Sequence, residues 1–388
     1  MVLLYNNTVK KFSLPQLSHL ELTLIALVLI LTGALLVLGS YILYVDLLRP
    51  HAEPLSPRSD IAFATITPPV IRQITLEKAP ALPHINGLPA GTPAAPATSV
   101  PYFAAANEMG KVMVLEYHRI AYPEMRYQRS PDNFRQDIQR LVDNNYYPVN
   151  FAELVSGLKN VPPGKKPIVL TFDDSDISQF LVLDNRTVDA DSALGILLNF
   201  HEKYLDDWPM RGTFFVLGDD TNNYTKIFGQ PDWAKQKLQV LVDLGMEVGS
   251  HTVNHVDLSQ VSAERIEWEL AVSQYVIEQS VPGYQVQSLS VPYGGFPWTY
   301  DFFKAGSWGD YSYTYTGNAA AWGGPSLSPH DTNFDPYRVP RIEVSDIWMD
   351  HWLTYFEQNP NEYYISDGDP NRLTTPQEQP QLAADAPN

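Results

Sequence analysis

Apolar and polar positions fall into three textures along the chain. From Leu22 to Val45 no charged residue interrupts the run, which Glu21 and Asp46 bound. A helix rising about 1.5 Å per residue crosses a bilayer core of about 30 Å with about 20 residues. A soluble buried helix is rarely apolar on every face for so long. A cleavable signal peptide would have a shorter apolar region and a small-residue cleavage site after it. Here the run ends in Asp46-Leu47-Leu48-Arg49-Pro50, so 22–45 reads as a retained transmembrane anchor behind a short cytoplasmic N-terminus, 1–21. Lys10 and Lys11 precede the span, and Arg49, His51 and Arg58 follow it. The positive-inside bias favours a cytoplasmic amino end, which makes the chain a single-pass protein of the cell membrane with its bulk extracytoplasmic. The reverse topology is the alternative that the charges leave open.

The second texture is a Pro/Ala-rich linker over 46–108, in which Pro fixes φ and removes donors so that the chain extends as a spacer. Ile61 to Leu76 carries enough Ile, Val and Thr for one short strand. From Lys111 the third texture begins, alternating apolar β-rich runs (KVMVLEYH, KPIVLTFDD, RGTFFVL, MEVGSH) with helical patterns (PDNFRQDIQRLVDNN, ALGILLNFHEKYL, WAKQKLQVLVDLG, AERIEWELAVSQYVIEQ). Strands and helices alternating at this spacing indicate parallel βα units, hence an α/β fold. Continuous apolar runs such as VMVL and IVLTF fit strands buried on both faces. Ser130-Pro131 is a helix-start signal and Gly245 a stop. The expected domain spans 109–350. A C-terminal extension, 351–388, turns polar at Asp367 and reads as a mostly disordered tail.

Composition narrows the functional classes. With 388 residues, 44% of them hydrophobic, the chain can bury one large core or two small ones. A net charge of −18 without a basic run argues against nucleic acid as a partner, since that class needs a positive field to displace counterions. The absence of cysteine removes disulfides, thiolate zinc sites and cysteine nucleophiles together.

Three pieces carry candidate chemistry. Asp173 and Asp174 follow an apolar strand at its carboxyl end, where the loops of βα barrels collect their chemistry; helix capping is the plainer use of such Asp residues. His251 and His255 follow the short strand MEVG, and at i and i+4 they share one face if the backbone there is helical. Alone, such a pair is more often structural. With a strand-end Asp it supplies three ligands and leaves positions open for water and substrate, the arrangement of catalytic divalent sites. Pro292-Tyr293-Gly294 follows Leu289-Ser290-Val291 and reads as a tight turn that can aim an amide N–H at a neighbouring cavity.

In this order and spacing, TFDD, HTVNH and VPYG resemble the first three motifs of the polysaccharide deacetylase family, the NodB homology domain of carbohydrate esterase family four. RGTFFVLG resembles the strand after the first motif, MVLEYHRI the entry strand, and Pro340-Arg341-Ile342 a late element. The resemblance runs from Lys111 to Val344. It implies a distorted (β/α) barrel of the NodB type that removes N-acetyl, or in some members O-acetyl, groups from sugars. Carried over residue by residue, Asp173 is the general base, Asp174, His251 and His255 bind the metal, and Tyr293 lends its backbone N–H to the oxyanion. The implied cofactor is a divalent ion: zinc suits the ligand set, and cobalt or nickel are alternatives. The implied partner is an N-acetylated glycan of the cell envelope or its surroundings.

Three features depart from the family. Its Arg before Pro-Tyr-Gly aligns with Ser290, which takes a cation away from Asp173 and leaves Arg338 or Arg341 as substitutes. The first motif continues into Ser175 instead of Gly, and a long segment follows it, whose VLDNRTVD reads either as a flap beside the site or as a surface hairpin. The late His that protonates the leaving amine has no direct match; His118, His330 and His351 are candidates, with Arg341 a further candidate for substrate contact. Besides a deacetylase, the same residues leave open an O-acetyl esterase or non-sugar amide hydrolase on this scaffold, or a glycan-binding pseudoenzyme.

Overall fold

A computed structural model of the chain describes residues 106–184, 186–218 and 226–376. The anchor expected over 22–45, the strand over 61–76 and nearly all of the 46–108 linker lie outside the described residues. Among those described, no helix is long and apolar enough to cross a membrane.

Among the described residues, eight parallel-paired strands form the main sheet: β1 (Met113–Tyr117), β2 (Tyr146–Val149), β3 (Lys166–Phe172), β4 (Thr213–Val216), β5 (Glu247–Ser250), β6 (Ser288–Ser290), β7 (Gly317–Ala319) and β8 (Ile342–Glu343). Their order is β7-β6-β5-β4-β3-β1-β8. β2 pairs with the start of β3, and β4 with its end through Thr171 and Phe172, so both share one edge of that strand. The runs read as buried on both faces are so: β1, β4 and β5 are buried throughout, and β3 at all but its first residue. The sheet curls until its two edges meet one segment. Val339 bridges Ala319 at the end of β7, and three residues later Ile342 pairs with Leu115 of β1.

The expected helices form around this sheet: α1 (Pro131–Asp143), α2 (Ala193–Tyr204), α3 (Ala234–Asp243) and α4 (Ala263–Ser280). Ser130, Ser192 and Ser262 cap α1, α2 and α4, each hydroxyl accepting from a first-turn N–H, which satisfies a donor that has no partner inside the helix. Gly245 ends α3 at φ 88°, a left-handed turn that Gly makes without a Cβ clash.

Two expectations change. The boundary at 350 falls inside a further helix, α5 (Asp346–Gln358), and the chain beyond it packs on the domain instead of trailing away. Tyr363 is fully buried, its hydroxyl donating to Pro167 O at 2.7 Å and accepting from Met113 N at 3.1 Å. Asp367, where the disordered tail was to begin, is also fully buried and accepts from Arg372 and Thr374. Polar residues there satisfy one another and Glu108, so polarity marked a buried network, not disorder. Only 377–388 of the tail lies outside the described residues. The second change concerns VLDNRTVD. It is a hairpin, with Val182 bridging Val188, but Gln230 clamps it at Val182, and none of its described residues lines the cavity described next.

Candidate active site

The carboxyl ends of β1, β3, β5 and β6 open onto a cavity of about 420 Å³. Its wall brings together Asp173, Asp174, His251, His255, His118 and Tyr293. Arg341 also lines it, as does Glu116, a residue that the sequence reading passed over.

Asp173 is buried just beyond β3. Arg341 grips its carboxylate as a fork, Nη1 on Oδ1 and Nη2 on Oδ2, both at 2.8 Å, and the Ser290 hydroxyl donates to Oδ2 at 2.8 Å. The cation missing from position 290 is therefore supplied from the approach to β8. Ser290 keeps a part in the same network, since Arg341 Nη2 also lies 2.9 Å from its Oγ. Nε of Arg341 donates to Ala320 O and Nη1 to Thr171 Oγ1, so one fully buried guanidinium ties together the ends of β3, β6 and β7. Arg338 is not a substitute. It lies over Phe296 and donates to the Tyr300 hydroxyl in a separate cavity. Burial alone would raise the Asp173 carboxyl; the Arg341 charge, followed by His251, outweighs burial and holds it well below the usual carboxylate range.

Asp174, His251 and His255 meet at 3.3 Å: Asp174 Oδ1 is that far from Nε2 of each histidine. The His loop is not helical, as the i, i+4 spacing would have needed. Thr252 and His255 take left-handed φ values of 66° and 51°, and the turn brings the rings together instead. Glu269 of α4 holds this turn. Its Oε2 accepts from the N–H groups of Val253 and Asn254, both at 2.8 Å, while Arg265 binds its other oxygen. A fully buried Glu inside a helix, outside every motif, gave no sign of this role in the sequence.

The donor set fits a metal ion. His251 donates Nδ1–H to Ser290 O at 2.9 Å, which fixes the tautomer and turns Nε2 inward with a bare lone pair. That nitrogen is buried without a hydrogen-bond partner. Tetrahedral bonds of about 2.0–2.1 Å separate neighbouring ligand atoms by roughly 3.3 Å, the spacing found here between Asp174 and both histidines. Burial alone would lower His251, but Asp173 and Asp174 raise it; burial and then His251 push His255 down to about 4.

Two consecutive left-handed residues, Asp174 (φ 72°) and Ser175 (φ 47°), aim the Asp174 carboxylate into the cavity. Ser175 stands at the family's Gly position, and a side chain in that conformation costs about 1 kcal/mol. Its hydroxyl offsets this by donating to Lys226 O and accepting from Leu217 N. Tyr293, itself at φ 56°, sits second in the turn Pro292–Gly294, with its ring edge-on to His255 at 4.5 Å between centroids.

Of the candidate acids, only His118 reaches the cavity. It follows β1, its Nε2 lies 3.8 Å from Glu116 Oε1, and one side-chain atom each of Glu116, His118 and Asp173 lie within 4.8 Å of one another. Burial lowers its pKa. Burial raises Glu116, against the pull of Arg341 at 3.1 Å. The buried Gln179 amide spans the backbone carbonyls of His118 and Asp173, locking the two strand ends together. His330 instead lines a different cavity beside Gly157 and Tyr364, and His351 lies exposed on α5 against Trp352.

Residues 160–305 match the family model described as polysaccharide deacetylase. That stretch is similar to the polysaccharide deacetylase family. The match contains the Asp pair, the His pair and Tyr293. His118 and Arg341 lie outside it, and the fold delivers them to the same cavity. Among solved structures, the chain is similar to a polysaccharide deacetylase from Bacillus cereus, at 20% identity over 63% of this chain and 68% of that one with a TM-score of 0.45. It is similar to the Streptococcus pyogenes deacetylase PplD in complex with acetate, at 21% identity over 63% and 97% with a TM-score of 0.46. IcaB from Ammonifex degensii gives 19% identity over 63% and 97%, with a TM-score of 0.43. No curated protein matches the chain.

Proposed function

We propose that this domain is a metal-dependent hydrolase that removes N-acetyl groups from a polysaccharide of the cell envelope or its surroundings. The observation that carries the reading is the meeting of Asp174, His251 and His255 beside a buried, ionised Asp173 on the wall of an open cavity. Asp174, His251 and His255 would hold a divalent ion, zinc by their chemistry, whose part is to acidify a water and polarise the acetyl carbonyl. The run over 22–45 and the Pro-rich stretch after it support a membrane anchor and spacer, with the domain outside the membrane.

Asp173 takes the proton of the attacking water. Oδ2 already accepts two hydrogen bonds and Oδ1 one, so Oδ1 has the spare lone pair. Arg341 fixes the plane of that carboxylate and keeps it charged. The Tyr293 N–H, in the middle of its turn, is the donor for the oxyanion. His118 passes a proton to the leaving nitrogen. Its burial makes the imidazole neutral at rest and a stronger acid once protonated, so the proton it delivers comes from the water through nearby Asp173.

Acetate release from N-acetylglucosamine oligomers and from an aryl acetate tests both the reaction and the acid. Wild type should cleave both. His118→Ala should lose about 100-fold or more on the amide, the usual share of a general acid, and far less on the aryl ester, whose phenolate leaves without a proton. Acetate from O-acetyl esters alone would make the enzyme an esterase. None from any substrate would overturn the reading.

A further inference from the structure

We propose that a second cavity, beside the one holding Asp173, is a binding subsite for a distant sugar ring of the same glycan, so that the domain favours long chains over short pieces. The proposal rests on the deacetylase reading of the neighbouring cavity. This second cavity, of about 460 Å³, is bounded by Trp322, Trp348 and Trp352 together with Arg126 and Glu343. It is continuous with the first, because Trp322, Arg126 and Arg341 line both.

The wall is built, not incidental. Trp322 stands two-thirds exposed, with its indole laid against Gly294, where a Cβ would come within 3.1 Å of the ring. Gly324 makes the same allowance for Trp352 at 3.2 Å. Arg126 and Glu343 form a two-pronged pair at 3.0 and 3.1 Å, with Arg126 largely exposed beside the passage. α5 begins at Asp346 behind its Ser345 cap and brings Trp348, 47% exposed, to the far side. Leaving indole faces open to water is unfavourable unless something covers them. Flat aromatic faces beside a polar fork match a pyranose ring, which shows C–H groups on its faces and hydroxyls around its edge. A single acetylated unit fills only the first cavity. A chain entering it over Trp322 and Arg126 has the second cavity in its path.

The test is the length dependence of catalysis and of binding, with the full-length protein and N-acetylglucosamine oligomers of two to six units. For wild type, KM should fall as the oligomer lengthens. In Trp348→Ala that fall should be lost, leaving KM for the hexamer about 3- to 10-fold higher, the effect of one stacked ring, with kcat for the hexamer changed little. Trp348→Phe, which restores a flat face, should recover most of the preference. Titration calorimetry with the hexamer and the dimer gives the same comparison without turnover. It separates the two ideas: a protein that releases no acetate but binds the hexamer through Trp348 refutes the activity and keeps the subsite. Equal affinity for dimer and hexamer, or a preference for length that survives in Trp348→Ala, would overturn the proposal.

Discussion

At Asp173 two forces oppose each other, and their balance decides whether the site can work. Burial favours the neutral acid, while the Arg341 fork favours the carboxylate and wins. Removing the guanidinium takes away the largest force that opposes burial, leaving the weaker pull of His251, so the pKa of Asp173 must rise. Arg341→Gln is therefore expected to move the acid limb of kcat/KM up by about 1 to 3 pH units. At the optimum it should lower kcat by about 100-fold, the usual effect of a misaligned catalytic group. A pH profile read alongside circular dichroism checks this; an unmoved acid limb in a folded variant would contradict it. At this scale the sequence was legible where chemistry repeats in order: the Asp pair, the His pair and the Tyr293 turn. It left two alternatives, Arg338 and Arg341, where one side chain crosses the barrel. Arg341 is 168 residues from Asp173, and only the closing of the sheet makes them partners. Glu116 did leave a sign, a charge inside an apolar strand, whose meaning depended on that same partner.

Elements explain why a short loop can present two ligands. The 251–255 turn holds left-handed residues at Thr252 and His255, a conformation that the chain does not favour unaided. α4 supplies the restraint through Glu269, which takes two consecutive N–H groups of the turn. Glu269→Ala should loosen the turn and weaken metal affinity by about 10- to 100-fold, as losses of supporting contacts commonly do. Competition with a coloured chelator measures it, and unchanged affinity would show that the turn holds itself. The helices themselves were readable from their caps, Ser130 and Gly245 among them, because those signals are local. The hairpin over VLDNRTVD was readable as a hairpin but not as to place, since Gln230, far along the chain, decides where it docks.

For the whole molecule, the last described segment is part of the fold. Tyr363 plugs the space beneath β1 and β3, and Asp367 closes a buried network with Arg372, Thr374 and Glu108. A chain stopped after Val344 should therefore lose its cooperative thermal transition and become sensitive to protease; a transition within about 2 °C of the intact chain would contradict this. Composition misled here because polar residues mark a disordered tail and a satisfied buried network alike. The parallel α/β architecture was readable from alternating strands and helices, while the curl that closes β7 and β8 through one segment was implied by the family resemblance alone.

The central claim is that a metal ion held by Asp174, His251 and His255 is needed for hydrolysis of an N-acetyl group on a glycan. Acetate released from an N-acetylglucosamine oligomer should be followed while chelator-stripped protein is titrated with zinc. The account predicts no release from stripped protein and full recovery at one equivalent of zinc. Release that survives stripping, or none at any zinc level, would contradict it.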